Sequence, residues 1–254
     1  PKGTPRYVPG ITLPEIADAA AARDSVRARV AQGADAIKLF IVPLTRERPF
    51  PVMAPDIVRA AAEEAHRAGL PVFAHPTTLD GIRIALEGGV DVLAHGATTA
   101  EALPEPLLRA MRARDIALVP TLTLWEDDFG PDTTGIGAFV RGGQAQLRSY
   151  AAAGGRILFG TDVGYIARYD ATREYELMAG AGMDLRAILA SLTTAPADAF
   201  DRGGRTGRLA PGFDADVVVI DGDPADDIRA LGRVRLTMKR GRILYDARSP
   251  EAPR

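Results

Sequence analysis

The chain has no cysteine, and only three of its 254 residues are histidine. Without thiols it has neither disulfides nor thiolate metal ligands. No apolar run reaches the length of a transmembrane helix, which excludes a helical membrane span. The formal net charge of -2 leaves no basic excess of the kind that nucleic-acid binding requires. Lysine is scarce too: Lys2, Lys38 and Lys239 stand among cations that are otherwise all arginine. Any metal site must therefore use His, Asp, Glu or a modified Lys, and a lysine in so arginine-biased a chain is a candidate for lysine chemistry. The first residue is proline, not methionine, and no signal-peptide pattern follows it. The expectation is that the natural N-terminus lies elsewhere. A cytoplasmic location is the default, with a secreted or periplasmic one still open.

What is present is a regular alternation. "ADAAAARDSVRARVAQG" reads as a helix stopped by Gly33, and "ADAIKLFIV" (34–42) as a strand. The helix "APDIVRAAAEEAHRAG" is followed by the strand "LPVFAH". The helix "TTLDGIRIALEGG", with Thr78 as N-cap and Gly88 as its stop, is followed by the strand "VDVLAH". "PEPLLRAMRARD" and "IALVPTLTL" (116–124) continue as helix and strand. A loop "WEDDFGPDTTGIG", the helix "AFVRGGQAQLRSYAAAGG", the strand "RILFGTD" (156–162) and the helices "TREYELMAGAG" and "DLRAILASLTTAPADAF" complete the series. Strands apolar on both faces and separated by helices predict a parallel α/β sheet with right-handed crossovers. Five strands are visible, fewer than a (β/α)8 barrel needs. From about residue 206 short β-rich runs take over, including a hairpin turning at Lys239-Arg240-Gly241. The predicted division is 1–205 and 206–254.

Ligands and reacting groups gather at the carboxyl ends of parallel strands. Lys38 lies in one such strand, while His75, His95 and Asp162 end three others. Imidazole and carboxylate suit zinc, and also Mn, Fe or Co. A buried lysine loses its proton more readily. Its neutral amine can then add carbon dioxide to give an anionic, two-oxygen carbamate ligand.

Lys38 in "GADAIKLF", His75 in "PVFAH", His95 in "GVDVLAHG", Asp162 in "LFGTD", and the "GRLAPGFDADVVVIDGDP" stretch together resemble the amidohydrolase superfamily. The likeness is to its imidazolonepropionase-like and prolidase-like (Xaa-Pro dipeptidase-like) branch and covers the chain from about residue 20. The resemblance implies a TIM-type (β/α)8 barrel, here incomplete (roughly strands 3/4 to 8), followed by C-terminal strands of a small composite β-sandwich. It implies one or two divalent metals, zinc first, held by Lys38 as a CO2-derived carbamate, His75, His95 and Asp162. Asp162 would also be the catalytic proton carrier. The implied reaction is hydrolysis of a C–N bond in a small amide or dipeptide, with metal-bound hydroxide as nucleophile. Homo-oligomerisation is compatible with this reading, and neither nucleic acid nor membrane is an expected partner.

The family pattern also has a His-x-His pair, which this chain lacks, since its third histidine is His66. The expectation is therefore a chain that starts within the third β/α unit of a longer parent and has little activity alone. A deaminase or lactonase on the same scaffold, or a non-catalytic barrel remnant that serves as a binding module, are the alternatives. Trp125, Tyr165 and Tyr169 follow strand ends and are candidates for a substrate pocket. Arg168 is a candidate for a substrate carboxylate, and the Pro-rich loop 43–54 with Arg46 and Arg48 for a lid. His66, among charged helix residues, reads as a solvated surface side chain.

Overall fold

The structure is a computed structural model that describes residues 14–42, 52–129 and 137–249. Most of the proposed lid, residues 43–51 with Arg46 and Arg48, lies outside the described residues.

The first half consists of repeated helix–strand units: α1 (Ala19–Ala31), β1 (Ile37–Phe40), α2 (Pro55–Arg67), β2 (Val72–His75), α3 (Leu79–Gly88), β3 (Val92–Ala94), α4 (Glu105–Ala113) and β4 (Ala117–Val119). Local chemistry sets the helix ends. Asp18 accepts from the Ala21 amide at 2.8 Å, and Thr78 accepts from the Gly81 amide at 2.9 Å. Pro55 opens α2, where its missing N–H has no helical partner to lose. The stop of α3 falls one residue later than the sequence suggests. Gly88 is the last helical residue, and Gly89 takes the left-handed conformation, φ 82°. Gly88 serves close packing instead, since a Cβ there would lie 2.3 Å from Cγ1 of Val58.

The second half runs α5 (Leu122–Phe129), α6 (Ala138–Ala152), β5 (Arg156–Ile157), α7 (Thr172–Gly180), α8 (Leu185–Leu192) and α9 (Thr194–Ala199). Three antiparallel strands follow: β6 (Val217–Ile220), β7 (Val234–Lys239) and β8 (Arg242–Asp246). The β7–β8 hairpin turns through Arg240 and Gly241, both at positive φ (49° and 78°), as a two-residue turn with the twist of a hairpin requires. Two readings are corrected here. Residues 116–124 do not form one strand: β4 ends at Val119 and Leu122 begins a helix. The single helix expected after Asp184 is two, broken at Thr193 (φ -130°, ψ -81°).

Strands β1 to β5 form one parallel sheet in sequence order. The register places Lys38, Phe73, Val92 and Ala117 in one row across it. Side chains alternate along a strand, so His75, two residues beyond Phe73, shares the face of Lys38. Lower on that face, Val92, Ala117 and Leu158 pack with Phe73, Ala195 and Phe200, and the Phe73 and Phe200 rings stack at 5.9 Å. The opposite face carries the main core, where Ile82, Leu93, Leu118 and Leu147 are fully buried. Each such side chain contributes roughly 1.5–3 kcal/mol. Tyr150 of α6 is also fully buried and donates its hydroxyl to the Ile116 carbonyl at 2.5 Å, which ties α6 to the start of β4. The antiparallel sheet is joined to the rest through the 3-10 helix Ile228–Gly232, whose Leu231 enters the main core beside α7. Among the described residues no helix is long and apolar enough to cross a membrane.

Candidate functional site at the strand ends

His75 and His95 end up side by side. Both are buried, 2% and 1% exposed, and their ring centroids are 4.8 Å apart at 76°, edge to face. The parallel register alone does not produce this. Alternation along β3 would send His95 to the face opposite Ala94. Instead its φ is 77°, a left-handed value that a non-glycine residue adopts only where its surroundings enforce it. That turn brings the ring back over His75. Thr77 (φ 41°), Thr121 (46°) and Asp162 (61°) share the conformation, so strained backbone follows each of β2 to β5.

A buried side-chain amide holds the turn after His95. Gln146 of α6 accepts from the Ala97 amide at 2.9 Å and donates to the Ala97 carbonyl at 2.8 Å. Gly96 leaves room for it, since a Cβ there would sit 2.3 Å from Gln146 Oε1.

Nδ1 of His95 lies 2.6 Å from Oγ1 of Thr121, which itself donates to the Pro120 carbonyl at 2.8 Å. Nε2 of His95 lies 3.9 Å from Oδ2 of Asp162, beyond hydrogen-bond reach. That Nε2 and both ring nitrogens of His75 are buried without a hydrogen-bond partner. Buried polar atoms are ordinarily satisfied, so three orphaned nitrogens in one place are a functional signal.

The electrostatics place Lys38 in the same neighbourhood. Burial, and then the charge of Lys38, push the His75 imidazolium down to about 3. Burial, His75 and Lys38 hold His95 well below its ordinary value. Burial raises the Asp162 carboxyl, and Lys38 opposes that rise. Both imidazoles are therefore neutral at physiological pH, the form that donates a lone pair to a metal. Lys38 itself is exposed on β1, an end strand of the sheet, with Nζ 5.4 Å from the Phe40 ring centroid, whereas the carbamate reading assumed a buried amine.

The donor chemistry, two neutral imidazoles and a carboxylate facing one space, fits a divalent ion of the zinc type. The set is not closed: among the described residues no three His, Cys, Asp or Glu side chains gather tightly enough to hold a metal ion.

Of the other candidates, Trp125 is buried against the site, its ring 6.0 Å from that of His95. Tyr165 and Tyr169 are exposed, 41% and 84%. Arg168 is engaged by Asp127 at 2.5 Å and Glu126 at 3.6 Å. His66 is half-exposed and meets Asp91 Oδ2 at 2.9 Å, and Asp91 also accepts from the Val72 amide. It is a surface residue, as the sequence suggests, and its partner Asp91 makes the bond to the strand. An apolar groove of about 770 Å³ between α8, α9 and the antiparallel sheet includes none of Lys38, His75, His95 or Asp162.

Sequence reasoning missed three residues here: Gln146, Thr121 and Glu174. Glu174 of α7 is completely buried and accepts from the amides of Leu122 (2.7 Å) and Thr123 (2.8 Å) and from the Thr123 hydroxyl (2.8 Å). Burial pushes its carboxyl up to about 7 against those hydrogen bonds. Only a Glu within an otherwise ordinary helix marks it in the sequence.

Comparison with known proteins gives the fold and the family. Ochratoxinase of Aspergillus niger is 27% identical over 222 residues, 82% of this chain and 45% of that protein. A solved Bifidobacterium longum protein assigned as a prolidase superposes with a TM-score of 0.81 at 29% identity, covering 100% of this chain and 65% of that one. An Xaa-Pro dipeptidase solved with methionine in its active site has the same fold, with a TM-score of 0.80 at 24% identity over 96% of this chain and 63% of that one. This chain therefore spans less than half of the curated relative and about two thirds of the solved ones. The model of the Amidohydrolase family matches residues 4–244. The chain belongs to the amidohydrolase family.

Proposed function

We propose that the chain carries part of a metal-dependent amidohydrolase centre that hydrolyses a C–N bond in a small amide or dipeptide, prolidase-like in substrate class. The carrying observation is the pair of buried imidazoles on successive strands with three unpartnered ring nitrogens. In this reading the parallel strands are the later strands of a (β/α)8 barrel within 1–205, and 206–254 is a β-sandwich element. His75, His95, Asp162 and Lys38 would hold the ion, zinc first, with the exposed Lys38 joining as a carbamate whose single negative charge is shared by two oxygens. A bound divalent ion supplies an activated water and polarises the scissile carbonyl.

The remaining work falls to the chain's own groups. Burial keeps both imidazoles neutral and available. The raised Asp162 carboxyl is suited to take a proton from the attacking water and pass it to the leaving amine. Trp125, packed on His95, keeps water from one side of the site. In this reading the indole and Tyr165 would border the substrate, and Arg168 would have to exchange Asp127 or Glu126 for a substrate carboxylate.

The sequence contains no His-x-His pair, so turnover by this chain alone is expected to be low. Metal binding is the sharper test. Chelator-treated protein titrated calorimetrically with Zn2+, Mn2+ and Co2+ should bind at least one of them, and His75→Ala and His95→Ala should not. Xaa-Pro dipeptides and simple N-acyl amino acids are the substrates to assay with metal and bicarbonate. Absence of binding by every ion would overturn the reading in favour of a non-catalytic module.

A further inference from the structure

We propose that Thr121 and Glu174 are positioning residues that fix His95 as its Nδ1–H tautomer, with the Nε2 lone pair directed toward His75 and Asp162. The inference concerns His95 alone, and its consequence for metal binding rests on the reading above.

The argument follows one proton. The Thr121 hydroxyl has a single hydrogen and donates it to the Pro120 carbonyl at 2.8 Å. Its oxygen can then only accept from His95, 2.6 Å away, so the shared proton sits on Nδ1. In a neutral imidazole the other nitrogen is then bare, and a ring buried to 1% exposure with no acceptor at Nε2 has no partner for a second N–H. The opposite tautomer would bury an Nε2–H with no acceptor in range, since Asp162 Oδ2 is 3.9 Å away.

Thr121 does not hold its place unaided. It is β-branched at φ 46°, a backbone conformation that such residues avoid. The next two residues are fixed by Glu174, which takes both of their amides and the Thr123 hydroxyl. These amides open α5, where a carboxylate is favoured by the unpaired N–H groups and the helix dipole. Among the described residues no cation pairs with Glu174, so its three donors are the bonds that justify burying it. From α7, about fifty residues on, it thus sets the turn that presents the hydroxyl to His95.

The test uses the full chain with 15N-labelled histidine, metal-free, above pH 7. The His95 ring shifts of the wild type should report Nδ1 protonated and Nε2 bare. Thr121→Val keeps the shape and removes the hydroxyl, so the shifts should move toward the other tautomer, and Thr121→Ser should restore the wild-type pattern. Glu174→Gln replaces an acceptor oxygen by a donor against the α5 amides and should mix the tautomers. If the variant does not fold, the Thr121 pair still decides. Wild-type protein already in the Nε2–H form, or Thr121→Val without change, overturns the proposal. Zinc affinity should fall about 10–100-fold in Thr121→Val and recover in Thr121→Ser, the range typical of an outer partner of a metal-bound histidine. A wild type that binds no metal yet shows the expected tautomer refutes the metal centre and leaves this inference standing.

Discussion

The rings of His75 and His95 meet edge to face at 4.8 Å, although the two residues end different strands and stand twenty positions apart. Three ring nitrogens of this pair have no partner, and a shared ion would engage one from each ring. Addition of the ion that binds should therefore raise the thermal midpoint of the protein. Stabilisation approaches about 2.7 kcal/mol at a hundredfold excess over Kd. His75→Ala should abolish the shift, and calorimetric melting with and without metal checks it.

Acid should destabilise the metal-free protein early. The folded-state value of His75 is depressed to about 3 from 6.5, and that of His95 is depressed too. The unfolded chain therefore binds more protons below pH 6.5. Stability is full above that value and falls as pH drops, for His75 by about 1.4 kcal/mol per unit toward 3, and His95 adds to the fall in the same direction. Glu174 acts in the opposite sense, because its folded value is raised to about 7. Its contribution is greatest below its unfolded value of 4.5 and fades as pH rises to 7. Urea denaturation from pH 4 to 8 should show stability rising with pH below 6.5, and His75→Gln should flatten that rise by about one proton.

Gln146 is a stability determinant as well as part of the site's support. Gln146→Leu removes both hydrogen bonds to Ala97 and leaves its buried amide without a partner, while the carbonyl keeps the Thr99 amide at 2.9 Å. The expected loss is about 1–3 kcal/mol, the cost of one unsatisfied buried group. Chemical denaturation measures it, and metal affinity of the folded fraction should weaken in the same variant because His95 adjoins the released turn.

Gly88 tests the packing of α2 on α3. Gly88→Ala places a methyl group 2.3 Å from Cγ1 of Val58 and should destabilise by about 1–3 kcal/mol. Val58→Ala removes the clashing methyls, so the double variant should be more stable than the two single losses predict together. A double-mutant cycle measures that coupling.

Much of this arrangement was legible in the sequence. The alternation of apolar runs with capped helices foretold the parallel sheet, because Asp18, Thr78 and Pro55 act through bonds to their nearest neighbours. That His75 and His95 end neighbouring strands was legible from the apolar runs they close, but the left-handed turn that brings the His95 ring onto His75 was not. Nor was the helix at Leu122. Thr-Leu-Thr-Leu-Trp alternates like a strand, and the carboxylate that opens the helix comes from Glu174, some fifty residues along. Gln146 and Thr121 were invisible for the same reason. Their roles depend on contacts across the fold, and no local pattern distinguishes them from surface residues.

The left-handed backbone at Thr77, His95, Thr121 and Asp162 bears on any attempt to harden this protein against heat. Glycine adopts such angles freely, so a search for tougher variants would be drawn first to these four positions, where relief of strain is available. At His95, Thr121 and Asp162 the exchange would also delete a side chain that the proposed site uses. Tolerance to heat and capacity for chemistry are thus set against one another at the same few peptide units.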